Sequence, residues 1–99
     1  MNLNGYETFT TFWQDFTIAE CFGLDAVLDT NNRAFAEWKN DYKYLTELVM
    51  VLNHKCWDHY YKGNEGLSKV YADLYYQAHY YACDNLKGEE FSYYFSVTD

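Results

Sequence analysis

Apolar residues recur at steps of three and four along almost the whole chain. Phe9, Phe12, Trp13, Phe16, Ala19 and Phe22 form the first such run, and Gly23 ends it. This spacing lines one side of a helix, so it predicts a helix over 9–22, capped by Thr8 or Thr10. Residues 1–7 are polar and read as a loose lead. Leu24, Val27, Leu28, Phe35 and Trp38 give a weaker run, which predicts a second helix over 24–39 with Asp25 as its cap. A bend is expected at 29–32, where Asp-Thr-Asn-Asn side chains compete for backbone hydrogen bonds. Asn40-Asp41 breaks the pattern, and Asp41 suits the start of a third helix over 41–62. Gly63-Asn64-Glu65-Gly66 is the clearest turn. Beyond it, Leu67, Val70, Tyr71, Leu74, Ala78, Tyr81 and Ala82 predict a fourth helix over 66–86. Phe91, Tyr94 and Phe95 share a face and predict a short fifth over 89–95.

The third helix carries two apolar stripes. Tyr42, Leu45, Val49, Leu52, Cys56 and Tyr60 form one, and Met50, His54, Trp57 and Tyr61 the other. A surface helix in a small domain needs one stripe, because one side meets the core. Two stripes imply cover from two directions. The short turn at 63–66 forces the third and fourth helices side by side and antiparallel. That hairpin, YYKGNEGLSKVYADLYYQA, resembles the middle of a tetratricopeptide unit, but such units need about three copies for stability. A single copy reads as an ordinary helical hairpin. The fold class is therefore all-α: one compact four-helix, bundle-like domain over 1–99 with a short fifth helix.

Composition narrows the function more than it defines it. The chain has 99 residues, no proline, twelve tyrosines and an aromatic content of 22%. Nearly half the residues are apolar, so a core can form without disulfide or metal. The net charge of −8 disfavours direct binding to nucleic acid or to an anionic membrane, both of which ask for positive patches. It suits a basic partner. No stretch approaches the roughly 18 apolar residues of a membrane span. The N-terminus lacks a basic segment followed by an apolar run. With three scattered cysteines, these features read as a cytoplasmic protein with reduced thiols.

Two local pairs of reactive residues stand at spacings that suit chemistry. Cys56 with His59, and His79 with Cys83, have the spacing of zinc ligands on one helix face. An antiparallel register about the 64–65 turn places Cys56 opposite residue 73 and sets the two pairs about 15 Å apart, too far for one ion. A helix-interior cysteine lacks the helix N-terminus that lowers thiol pKa. Glu89-Glu90 reads as helix-start acid, and Asp25 and Asp29 as solvated. The Glu-x-x-His pattern of di-metal bundles is missing. No catalytic residue, cofactor or metal is expected. Aromatic side chains are the remaining signal. Tyr61, Tyr75, Tyr76, Tyr80, Tyr93 and Tyr94, with Trp57, outnumber what one small core absorbs, and surface aromatics anchor interfaces. Met50, His54, Trp57, Tyr61, Tyr76 and Tyr80 are the candidate partner-binding residues.

The stretch AFAEWKNDYKYLTELVMVLNHKCW, with the later ACDNLKGEEFSYYF, resembles small acidic proteins carried on conjugative elements and phages of gut bacteria. The resemblance covers most of the chain from Phe12 onward. It implies a helical fold and a mobile-element origin, and it assigns no catalytic residue. The combined expectation is a non-enzymatic interaction protein that binds a protein partner or a second copy of itself. The alternative is an acidic decoy that imitates DNA toward a host nucleic-acid-binding protein. Against it, the acids are interleaved with lysines rather than set in rows.

Overall fold

The computed structural model describes the backbone of residues 5–98, with side chains from Glu7 onward. Five helices follow in order: α1 Gly5–Glu20, α2 Leu24–Trp38, α3 Tyr42–Tyr61, α4 Glu65–Asn85 and α5 Glu89–Thr98. The domain is all-α, as the spacing predicts. The first part of the expected polar lead lies outside the described residues. From Gly5 the backbone is already helical, because nothing in 7–10 breaks a helix and Glu7 suits its positive end. Thr8 and Thr10 therefore lie inside α1 rather than capping it, and Thr8 is buried.

The helices differ from the expected pattern at several points. α1 stops at Glu20, and Gly23 donates its N–H to the Ala19 carbonyl at 3.2 Å with φ at 115°. A side chain would strain that backbone. Phe22 thus lies past the helix end and is 80% exposed instead of facing the core. Gly23 also starts α2, without a side-chain cap; Asp25 sits in the first turn. α2 runs unbroken through 29–32, and on its core side Asn31 is buried with Oδ1 unpartnered. Leu24 and Leu28 face solvent. Asp41 caps α3 as predicted, accepting from the N–H groups of Lys43 and Tyr44 at 3.1 and 3.3 Å. Such a cap contributes about 1 kcal/mol. α5 runs three residues beyond the expected 95.

α3 is the hub and touches every other helix. Leu45, Leu48, Val51 and Leu52 on it are sealed from solvent, and Phe16, Val27, Tyr71, Ala82 and Tyr94 complete the core from the other four helices. Fully burying each large apolar side chain contributes about 1.5–3 kcal/mol. α4 runs back along α3 in a register fixed by Ser68, whose hydroxyl donates to the Cys56 carbonyl at 2.9 Å. The partner of Cys56 is therefore Ser68, not residue 73. α1 crosses α3 steeply: Phe9 meets His54 and Glu20 meets His59, so twelve residues of α1 span six of α3. No described helix is long and apolar enough to cross a membrane.

Candidate functional site

Helical geometry divides α3 into a polar-cored side and an aromatic side. The buried column is Tyr44, Leu48, Val51, Lys55 and His59, flanked by Leu45, Val49 and Leu52. Tyr60, expected to close the inward stripe, is 59% exposed. The reason is that the end of the inward column is polar, so the apolar letters point away from it.

On the outward side, Trp57, Tyr60 and Tyr61 form a ledge near the hairpin turn. Trp57 stacks on Tyr61 at 6.0 Å and meets Tyr60 edge-on at 5.6 Å. They are 51%, 59% and 80% exposed, in the order Trp57, Tyr60, Tyr61. Aromatic pairs contribute about 0.5–1.5 kcal/mol beyond buried area, which holds the rings together while they remain in water. The rest of the second stripe is covered in part from within. Met50 is half-buried, and the exposed His54 takes the edge of Phe9 at 5.4 Å.

Tyr76 and Tyr80 are exposed on α4 and stack on each other at 6.1 Å. Among the described residues they make no ring contact with Trp57 or Tyr61. Tyr76 lies eight residues beyond Ser68, about 12 Å along α4 from the level of Cys56. The six candidate residues thus form two aromatic patches with a half-covered stretch between, rather than one surface. Of the other tyrosines counted toward the surface, Tyr94 is fully buried and Tyr75 and Tyr93 are half-buried.

Two polar clusters lie behind these faces, and the apolar pattern gave no sign of them. In the first, Glu20 Oε2 accepts from the Tyr71 hydroxyl at 2.5 Å and stands 3.1 Å from Lys55 Nζ. His59 Nε2 is also 3.1 Å away but is not aligned as a hydrogen bond. Lys55 donates to the Thr17 hydroxyl at 2.6 Å and lies over the Trp13 ring at 4.2 Å. His59 stacks flat on Tyr71, and its Nδ1 meets the Asn64 amide at 3.2 Å. Burial alone would raise the Glu20 pKa. The contacts from Tyr71, His59 and Lys55, with the Lys55 charge, outweigh it and hold the carboxyl below the ordinary glutamate value. Burial and the Glu20 carboxylate push the Tyr71 hydroxyl well up, so it stays a donor.

The second cluster joins α4 to α5. His79 Nδ1 and the Tyr94 hydroxyl are 2.5 Å apart, and Cys83 Sγ is 3.7 Å from His79 Nε2. Burial raises the Tyr94 pKa, helped by Cys83 and Tyr75. The Tyr94 hydroxyl therefore keeps its proton and can donate to Nδ1 or accept from it, according to the His79 tautomer. Cys83 stands fifteen residues beyond Ser68 on α4, about 22 Å from the level of Cys56. The two Cys/His pairs are therefore not brought together. Among the described residues no three of His, Cys, Asp and Glu converge as metal ligands.

A third feature lies between α1 and α2. An open furrow of about 440 Å³ runs along this hairpin, with aromatic residues on its floor and three carboxylates in its lining. Comparison with protein-family models, with curated proteins and with solved structures finds no match for the chain.

Proposed function

We propose that this chain is a non-enzymatic interaction protein, an accessory protein of mobile-element origin, that engages a protein partner or a second copy of itself through its exposed aromatic face. The observation that carries the reading is the ledge of Trp57, Tyr60 and Tyr61: three large rings in mutual contact, each more than half exposed. Aromatic anchors of this kind dominate binding energy where they are desolvated by a partner. The decoy reading has less support. Glu20 and Glu47 are turned into the fold, and Asp29 and Asp58 are paired with Arg33 and Lys62 one turn away. These carboxylates are not free to imitate a row of phosphates.

Trp57→Glu tests the proposal. The side chain is half in water, so the variant is expected to keep its helical circular dichroism and to lose less than about 1 kcal/mol of stability. Light scattering after size exclusion reads self-association, and capture from host lysate at high salt reads partner binding. The expected result is a folded variant that loses whichever association the parent shows. A folded variant with unchanged association overturns the assignment of the ledge.

A further inference from the structure

We propose that the furrow between α1 and α2 is a docking site for a basic amphipathic helix of another protein. It is separate from the ledge, because Trp57, Tyr60 and Tyr61 take no part in the lining of the furrow. The furrow is open because α2 presents short side chains to it. Ala26, Thr30 and Ala34 stand at steps of four, and Phe12 and Phe16 of α1 floor the space they leave. Its volume of about 440 Å³ falls in the range of binding clefts, about 300–1,000 Å³. Ala26 and Trp38 mark its length on α2, about 18 Å at the helical rise. That matches about three turns of a guest helix, the reach of anchors at i, i+3, i+4 and i+7.

Charge selects the guest. Asp15, Asp29 and Glu37 line the furrow with a single base, Arg33. Arg33 is already bound to Asp29 at 3.1 Å, and Asp15 and Glu37 make no ion pair among the described residues. The lining is therefore apolar at the floor and anionic along the rim. A second copy of this chain would bring its own net charge of −8 and meet repulsion there. A helix with an apolar stripe flanked by lysine or arginine meets complementary charge instead. Asp15 on α1 and Glu37 on α2 border the furrow from its two helices, so basic residues on the two flanks of the guest's apolar stripe can each reach one.

The test uses the full chain and a labelled peptide of about 18 residues with leucine at i, i+3, i+4 and i+7 and lysine elsewhere. Fluorescence anisotropy gives affinity, and backbone amide shifts give location. The expected result is saturable binding with Kd below about 100 µM and shifts confined to α1 and α2. Asp15→Lys combined with Glu37→Lys, both on exposed positions, should weaken binding at least about tenfold. Ala34→Leu, which fills the furrow without altering charge, should also weaken it. No saturation by about 1 mM, shifts centred on Trp57, or equal affinity for the same peptide with glutamate in place of lysine would each overturn the proposal. So would light scattering that shows a dimer whose furrow amides are protected.

Discussion

The two helical hairpins of this chain are joined by similarly short turns and packed in different ways. Between α3 and α4 the seam is filled: Ser68 donates across it, His59 lies flat on Tyr71, and Leu74, Ala78 and Ala82 are buried. Between α1 and α2 the seam is left open along its length. Turn length brings two helices together, but the side chains facing each other decide whether the gap closes. The closed hairpin buries Lys55 and is still tight, because that charge meets Glu20 and Thr17 of α1. The open hairpin has few buried polar demands and keeps space that another molecule can fill.

The strongest way to break this contrast is to remove a charge from the filled side. Lys55 is 3% exposed at its side chain, and Lys55→Met leaves Glu20 in a protein interior without its cation. Denaturant unfolding should give a loss of about 3–5 kcal/mol. Acid reaches the same cluster in the parent protein. Since the folded Glu20 pKa is lowered, its stabilisation is complete above the ordinary value of 4.5 and is lost as pH falls through the folded value. The acid sensitivity of the melting temperature below pH 4.5 should therefore be reduced in Lys55→Met.

A matched pair sharpens the packing side of the comparison. Ala78→Leu places three extra carbons in the closed seam and should cost about 1–3 kcal/mol. Ala34→Leu places the same atoms in the furrow and should change stability by less than about 0.5 kcal/mol. Equal costs in thermal melts would mean that the furrow is not free space. An effect smaller than that of Ala78→Leu is expected at Glu47. Its carboxyl pKa is raised by burial, so its favourable contribution exists below 4.5 and is lost as pH rises through the folded value. Glu47→Gln should therefore stabilise the protein at pH 7 by about 0.5 kcal/mol, and the gain should vanish in melts at pH 4.

The sequence made the helices legible because all five follow one spacing and no proline interrupts them. Asp41 was readable as a cap, and the 63–66 turn as the hairpin that pairs α3 with α4. Register was not readable. It depends on the Ser68 hydroxyl reaching the Cys56 carbonyl, a contact with no periodic signal. Lys55 and His59 were hidden for a related reason: apolar patterning assigns polar letters to water, while these two occupy the core column of α3 and find Glu20 from another helix. The spacing marks Trp57 and Tyr61 as one stripe but assigns Tyr60 to the inward one, whereas Tyr60 is exposed beside them. The furrow gave no signal, since it arises from the smallness of Ala26, Thr30 and Ala34 against a neighbour that only the fold supplies.

Glu20 joins residues 35, 39 and 51 positions away along the chain. In the history of such a sequence these positions are not free to drift one at a time. A neutral residue at 20 strands a lysine in the core, and a neutral residue at 55 strands a carboxylate. Substitution there passes through a less stable intermediate or occurs as a paired exchange, most readily to two apolar side chains that fill the same volume. Related chains should accordingly carry either the charged set or an apolar set at 20 and 55, and seldom a mixture.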